Sequence, residues 1–465
     1  MTLHNKEKPT YIVVAAIIGT GFALVVTNSA FNVLIPGLSN LYEIKTSEAS
    51  WLITIYLLAM TVTMPIAAYL SRVWGRKRLF TSGALILLAS SIYGALFYDS
   101  FIAIALVRLL HGVSAGIMIP LSLVLLFSLY PQSFHGRISG LWGLVLTAAP
   151  AIGPFLGGVL IDLGKFHYLF WFMVPFALFV SVIGVLKLPE QRAVPRKKTS
   201  PYTIGVFACS LLCICLGLQL MSTANLTYWL PYLFLILGIG LLYLFLRNQR
   251  NASEPMIALH LFRNRLYTAS VVIVTVQHSV MFGVLILFPL MMQDVFSYSA
   301  SVTGALYIPA AIFASLFAWY GGRKIDQQSM SFVKIGILLT ALSVLFLAFV
   351  PTHAPLFVLI VIMAIRGIGM GLSNSPVVTI GLHALEEKDW HDGSALSNTL
   401  KRLSSMVMVI FITMYFDLRW AALESSMPVT EAKWQALQEL WLLLGFLMIV
   451  TLPLTKVITN RTKTR

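Results

Sequence analysis

Long apolar stretches separated by short polar segments run along almost the whole chain. A helix needs about 20 mostly apolar residues to cross the hydrocarbon core of a bilayer. Each stretch that reaches or approaches this length predicts one transmembrane helix, and there are fourteen of them: 11–35, 51–70, 79–97, 101–124, 138–161, 168–188, 202–221, 229–246, 268–292, 300–320, 331–350, 354–380, 397–416 and 438–459. The pattern predicts an all-α polytopic membrane protein.

Two polar connections divide these stretches into groups of six, two and six. The connection 189–201 holds three prolines and four basic residues, which neither span a membrane nor form a buried helix. The connection 247–266 is also polar. We therefore predict three parts: an N-terminal six-helix bundle (1–188), a basic linker with two inserted spans (202–221 and 229–246) and a connecting loop (189–266), and a C-terminal six-helix bundle with a short cytoplasmic tail (267–465).

An internal repeat supports this plan. The segment 108–116 in the fourth stretch resembles 366–371 in the twelfth, since each begins with an arginine followed by closely spaced glycines. The basic turn 75–78 resembles 321–326 in the same way. Parallel repeats of this kind build transporters in which two bundles rock around a central site.

Composition and charge exclude several classes of protein. Of the 465 residues, 58% are hydrophobic and 11% charged, whereas soluble domains carry about 25% charged residues. A cytosolic enzyme, a secreted domain and a disordered scaffold are therefore excluded. The formal net charge of +15 does not require a nucleic-acid partner, because 26 of the 32 Lys and Arg fall on one side of the predicted topology. That asymmetry places both termini in the cytoplasm of a multi-pass inner (plasma) membrane protein.

Four ionisable side chains lie deep inside the predicted spans, where each costs about 2.5–3.5 kcal/mol on insertion scales. Arg108 and His111 are three residues apart, so they share one helical face and can present a cation to a central cavity; alternatively, Arg108 is structural and bonded to carbonyls. His278, beside Gln277, could carry a coupling proton or be a hydrogen-bonded packing residue. Arg366 fits a structural role as well as a functional one.

The first span is the most polar of the first half. Thr27, Asn28, Ser29 and Asn32 lie within two helical turns, and Pro36 is expected to end the span. We predict that these side chains line a polar cavity. All carboxylates are expected in loops or at span ends, with Asp417 at the interface. No phosphate-binding loop and no metal-binding motif is found, so neither a cofactor nor a metal is predicted.

Glycines and prolines mark the places where helices could approach and bend. Gly112 and Gly116 follow Arg108 in a small-xxx-small spacing that lets a neighbouring backbone come close. The fifth span contains a segment that we expect to bend and slide between moving bundles, through Pro150, Gly153, Pro154, Gly157 and Gly158.

Taken together, these motifs resemble the major facilitator superfamily, in particular its fourteen-span drug:proton antiporter branch (the EmrB/QacA type). The antiporter signature Gly-x-x-x-Gly-Pro-x-x-Gly-Gly is matched by 149–158, with Ala149 in place of the first glycine. The Arg-x-x-Gln-Gly signature is matched by 108–112, with His111 in the Gln position. The family's pattern at the start of the second span is matched by Trp51, Tyr56, Leu58 and Ala59. Its pattern at the end of the first span is matched by Asn32, Val33 and Pro36.

The resemblance implies a major facilitator fold of two six-helix bundles plus two inserted spans. It implies proton-coupled export of small amphipathic compounds from the bilayer, a pathway that includes Tyr56, and a periplasmic adaptor with an outer-membrane channel if the organism is Gram-negative. The cytoplasmic gate implied by the basic turns comprises Gly75, Arg76, Arg78, Gly322 and Asp326.

One departure from the family bears on mechanism. Thr27 stands where the family usually has an aspartate, so the proton carrier would be His111, His278 or an interfacial carboxylate, or transport would not be proton antiport. Without a membrane-embedded carboxylate, neutral or weakly acidic substrates are favoured over dications. Two alternatives stay open: a dedicated metabolite or siderophore exporter on the same fold, and a non-transporting membrane receptor or assembly subunit.

Overall fold

The structure is a computed structural model, and it describes residues 11–130, 135–188, 201–223, 229–251, 259–326, 331–386 and 389–459. All regular structure in these ranges is helical. This follows from the apolar composition, because a chain in hydrocarbon must satisfy its backbone hydrogen bonds internally, and a helix does so within one segment.

Seven helices precede the linker: α1 Tyr11–Leu41, α2 Thr46–Ala49, α3 Trp51–Val73, α4 Arg76–Leu96, α5 Phe101–Leu129, α6 His135–Asp162 and α7 Tyr168–Leu186. Ten follow it: α8 Pro201–Thr223, α9 Leu230–Asn251, α10 Arg265–Pro289, α11 Ala300–Ala305, α12 Tyr307–Asp326, α13 Ser331–Leu347, α14 Leu356–His383, α15 Trp390–Leu423, α16 Val429–Val450 and α17 Thr455–Thr459. A π-helical turn, Leu290–Val295, continues α10.

Helix is present at all fourteen predicted stretches. Within the described residues, twelve helical segments are long and apolar enough to cross a membrane. Two apolar helical segments are shorter: Ile152–Asp162 within α6 and Phe332–Leu347 within α13. The chain is thus a multi-pass, all-helical membrane protein.

The first helix corrects one expectation. Pro36 does not end it, because α1 continues through this proline to Leu41. A proline removes one backbone donor, but membrane helices tolerate this when neighbouring groups satisfy the freed carbonyl. In the same way Pro120 lies inside α5, and Pro150 and Pro154 lie inside α6.

The last two spans differ from the predicted boundaries. Residues 390–396, expected in the connection between the stretches 354–380 and 397–416, form the first turns of α15. Residues 429–437, expected outside the last span, form the start of α16. That helix stops at Val450, so the predicted stretch 438–459 is not one continuous helix. Hydropathy alone missed these turns because their polar residues dilute an apolar window.

The chain divides into two compact units, Met1–Phe31 with Trp51–Ser200 and Asn32–Ser50 with Pro201–Arg465. In the first unit, α5 packs closely on α3 at two glycines. A Cβ atom on Gly112 would lie 2.5 Å from the Tyr56 carbonyl oxygen, and one on Gly116 would lie 2.8 Å from the Met60 carbonyl oxygen. Both helices therefore depend on glycine to reach this separation.

The second unit repeats this packing between α14 and its neighbours. Cβ atoms on Gly367 and Gly371 would collide with α12 at the Ala310 and Ala314 carbonyl oxygens. On another face of α14, a Cβ atom on Gly369 would lie 2.6 Å from the Thr340 nitrogen of α13. The glycines that suggested an internal repeat thus occupy similar packing positions in the two units.

Candidate functional site

Arg108 is completely buried in the first unit, where side chains and backbone of α1 and α3 hold its guanidinium. Its Nε donates to the Leu52 carbonyl oxygen at 2.8 Å, and its Nη2 donates to Asn28 Oδ1 at 2.8 Å. The guanidinium carbon lies 4.2 Å from the Phe31 ring centroid and 4.3 Å from that of Tyr56. Two aromatic faces and two directed acceptors therefore fix the cation, which is the geometry that favours arginine over lysine.

This arrangement leaves donor capacity unused. The Nη1 atom of Arg108 is buried and has no hydrogen-bond partner among the described residues. Thr27, immediately before Asn28, is also buried, and its Oγ1 has no partner in the same part of the chain. Asn32, further along α1, is buried as well. An unpaired buried N–H of a cation is suited to donate to an oxygen of a neutral or anionic ligand.

His111 does not share the contacts of Arg108, although it lies three residues away. Its Nε2 is 3.0 Å from the Ser91 Oγ of α4, and its ring lies 6.0 Å from that of Phe170 in α7. The imidazole is buried. It therefore meets α4 and α7, whereas Arg108 meets α1 and α3.

The signature glycines of α6 contact α1 directly. A Cβ atom on Gly153 would collide with Ser29 Oγ, and one on Gly157 would lie 2.8 Å from the Ala30 carbonyl oxygen. Gly158 and Pro154 are buried and Pro150 is half-buried. The polar turn of α1 that carries Asn28 is therefore packed against the segment predicted to slide.

The predicted residues of the second unit form a polar layer across α10 and α14. Gln277 Nε2 donates to the Ser373 Oγ at 2.7 Å. The Oε1 of Gln277 and the Nδ1 of His278 are buried without a hydrogen-bond partner among the described residues. Arg366 is buried on α14. These groups belong to the second unit, whereas Arg108 belongs to the first.

Asp417, predicted at the membrane interface, is buried among residues of the second unit. The residue is 8% exposed, and its carboxylate accepts a 2.7 Å hydrogen bond from the Ser47 backbone nitrogen. Gln219 donates to the Ser47 carbonyl oxygen at 2.8 Å. Sequence reasoning missed this group because 370 positions separate Asp417 from Ser47, and nothing local indicates that they meet.

The predicted cytoplasmic gate is described only in part. Gly75 precedes α4 with a φ of 87°, a left-handed conformation that favours glycine. Arg76 is half-buried and Arg78 exposed. Gly322 and Asp326 lie in the last turns of α12, and their surroundings fall outside the described part. In that described part, no group of three or more His, Cys, Asp or Glu side chains could hold a metal ion.

Solved transporter structures share this fold. A bacterial homolog to the human lysosomal transporter Spinster, in an inward-facing conformation, superposes with a TM-score of 0.67, at 13% identity, and the match covers 99% of this chain and 98% of that one. The POT family transporter PepTSo gives a TM-score of 0.68 at 14% identity, with 99% of each chain covered. At such identities, the likeness concerns the fold alone.

Sequence relatives are found among bacterial resistance proteins. The lincomycin resistance protein LmrB of Listeria monocytogenes is 24% identical over 409 residues, which cover 87% of this chain and 85% of the relative. Multidrug resistance protein 3 of Bacillus subtilis is 25% identical over 376 residues, which cover 79% and 71%. The family model of the Major Facilitator Superfamily matches residues 16–409. Because that match spans most of its length, the chain belongs to the major facilitator superfamily and is a membrane transporter rather than an enzyme.

Proposed function

We propose that the chain is a secondary active exporter of amphipathic drugs or other toxic organic compounds, working by alternating access and coupled to protons. We assign it to the fourteen-span drug:proton antiporter branch, in the cell inner membrane with both termini in the cytoplasm. The relatives named for lincomycin and multidrug resistance support export of foreign compounds. The fourteen helical stretches support the span count.

The proposed substrate class rests on the environment of Arg108. Its hydrogen bonds go to the Asn28 amide and the Leu52 carbonyl, both uncharged, and its Nη1 has no partner among the described residues. The positive charge is thus not neutralised by those groups. A site of this kind attracts an acceptor oxygen or an anion and repels a permanent cation, which favours neutral or weakly acidic substrates.

Alternating access is supported by the glycine contacts. Small residues let α6 approach α1 without a side chain in the way, and the α5–α3 and α14–α12 pairs pack equally closely within each unit. Side chains at these positions would lock one arrangement, because packed interfaces are not continuously deformable.

Proton coupling needs another titratable group, because Thr27 stands where the family usually has an aspartate. Three groups meet this requirement: the buried His111 and Asp417 and the half-buried His278. His278 is suited to the role because its Nδ1 has no partner among the described residues, whereas His111 and Asp417 each hold one hydrogen bond.

Transport in proteoliposomes with an imposed pH gradient tests the proposal. We expect efflux of a weakly acidic fluorescent amphiphile to rise with an inward proton gradient and to fall in Arg108→Ala. His111→Ala, His278→Ala and Asp417→Asn then identify the carrier, since only that variant should transport without responding to the gradient. Flux that ignores the gradient in the wild type would refute antiport, and transport of a single compound without competition from unrelated amphiphiles would favour a dedicated metabolite exporter.

A further inference from the structure

A cavity lies among α10, α14 and α15 in the second unit, and none of its lining residues has been named so far. Six residues with polar side chains line it: Tyr267 and Ser270 on α10, and Ser394, Ser397, Asn398 and Lys401 on α15. No aspartate or glutamate is among its lining residues. The lining therefore offers hydrogen-bond donors and one cation, with no carboxylate of its own.

Two polar groups of this cavity, the Ser270 hydroxyl and the Lys401 ammonium, are not committed to protein partners, whereas Tyr267 donates to Gly393 and Asn398 donates to Ser394. Ser270 is 2% exposed, and its Oγ has no hydrogen-bond partner among the described residues. The Lys401 ammonium donates no hydrogen bond and forms no ion pair within the same part of the chain. A buried hydroxyl and a half-buried ammonium without partners are costly unless a ligand satisfies them.

The wall of the cavity is held by cross-helix contacts. Tyr267 OH donates to the Gly393 carbonyl oxygen at 2.7 Å, which ties α10 to α15. Asn264 caps α10 and donates to the Ala384 carbonyl oxygen at 2.7 Å, which ties it to the end of α14. A Cβ atom on Gly381 would lie 2.7 Å from that of Ser270, so only glycine brings α14 this close to the unpaired hydroxyl. The site is therefore preorganised.

The remaining lining is apolar. Val271 and Val274 on α10 and Val378 and Leu382 on α14 complete the cavity. A ligand that fits both parts carries an acceptor-rich anionic group on an apolar body. We propose that this cavity binds the anionic head of an amphiphile, a carboxylate or phosphate that pairs with Lys401 and accepts from Ser270, with its alkyl part against the valines.

This inference rests on the proposed function to the extent that it assigns acidic amphiphiles to the transporter. Binding, however, needs neither a proton gradient nor turnover. Binding that depends on Lys401 without any transport would refute the proposed export function but support the proposed binding site. Failure of the function and failure of the site can therefore be distinguished.

Radiolabelled octanoate is the probe, with the full chain in nanodiscs of zwitterionic phosphatidylcholine. We expect saturable binding that octyl phosphate competes away and that octanol and octylammonium, which share the tail, do not. Lys401→Gln should weaken octanoate binding about tenfold or more, because a charged hydrogen bond is lost. Lys401→Arg should retain most of the affinity, and Ser270→Ala should lose about threefold.

Lys334→Gln is the matched control, since Lys334 is an exposed lysine near the start of α13 and does not line the cavity. It should bind octanoate as the wild type does. Equal binding by Lys401→Gln and the wild type would overturn the proposal, as would equal competition by octanol and octylammonium. If Lys401→Gln does not fold, the competition experiments on the wild type and octanoate binding by Lys401→Arg still test the proposal.

Two sources could supply the anionic head, a free acidic substrate or an anionic lipid. Nanodiscs doped with phosphatidylglycerol separate them. If the wild type loses octanoate binding in these nanodiscs, while the residual binding of Lys401→Gln does not fall, the lipid headgroup is the ligand. Unchanged octanoate binding identifies the free acid. Both results support an anion site at Lys401.

Discussion

Gly153 of α6 lies against Ser29 of α1 so closely that no side chain fits between them. A Cβ atom on this glycine would overlap the seryl Oγ and would lie 2.9 Å from the Ala30 nitrogen. Ser29 Oγ in turn donates to the Val26 carbonyl oxygen at 3.0 Å. The contact is therefore between two backbones, and it lies on the turn of α1 that carries the Arg108 ligand Asn28.

Gly153→Ala should therefore push α6 away from α1. Overpacking of this kind costs about 1–3 kcal/mol, and we expect a lower thermal unfolding midpoint together with loss of transport. Gly240→Ala on α9 is the control, because a Cβ atom there meets nothing within 4 Å. Equal unfolding midpoints for the two variants, measured in the same detergent, would contradict the close contact.

Arg108→Lys should separate charge from geometry. Lysine keeps the positive charge but lacks the planar fork that reaches Leu52 and Asn28 and lies between two rings. We expect a folded protein with export reduced about tenfold, the result of losing one charged hydrogen bond. Export assays on inverted vesicles measure this, and Arg250→Lys, an exposed position on α9, should behave as the wild type. Full export by Arg108→Lys would show that charge alone suffices.

Asp417→Ala should destabilise the second unit. The substitution leaves the Ser47 backbone N–H, which is fully buried, without its acceptor, at a cost of about 1–3 kcal/mol. Asp417→Asn keeps an oxygen that can accept this hydrogen bond, so its unfolding midpoint should stay near that of the wild type. Thermal unfolding of the three proteins at one pH is the measurement. Similar losses in both variants would mean that the negative charge, and not the acceptor, stabilises the contact.

His167, in the connection before α7, should make stability depend on pH. Burial lowers the pKa of His167 below its ordinary value of 6.5, and Lys165 lowers it further, while Asp99 opposes them. The folded state thus favours the neutral ring, which stacks on Tyr98 at 4.0 Å. Its contribution is present above the ordinary pKa and is lost as pH falls through the lowered folded pKa.

Lowering the pH from about 8 to about 5 should therefore reduce the unfolding midpoint more in the wild type than in His167→Phe. Phenylalanine keeps a flat ring against Tyr98 and does not titrate. The comparison isolates this one group, since every other titratable residue is the same in both proteins. Identical pH profiles would exclude His167 as a contributor.

The helices could be predicted from the sequence because an apolar stretch of sufficient length has few alternatives in a bilayer. The same holds for the glycines: Gly112, Gly116 and Gly153 each make the close approach that their spacing indicated. Helix ends were less predictable. Residues 390–396 are too polar for a hydropathy window, yet they continue α15 as helix.

The side-chain partners were the part that the sequence could not supply. Arg108 and His111 share a helical spacing but contact different neighbours, because that depends on which helices pack on either side of α5. The Lys401 cavity gathers residues from three separate stretches. Pairings at such separations come from tertiary packing, which no local pattern encodes.

The hairpin of α8 and α9 has a further consequence for the way the protein sits in lipid. Gly217 and Gly238 bring these two helices together, while the outer face of α9 presents Ile236 and Ile239, which are 71% and 60% exposed. At 1.5 Å per residue its 22 residues extend about 33 Å, close to the thickness of a bilayer's hydrocarbon core, about 30 Å. A helix with so few protein neighbours adjusts its tilt most readily to the length of the surrounding acyl chains.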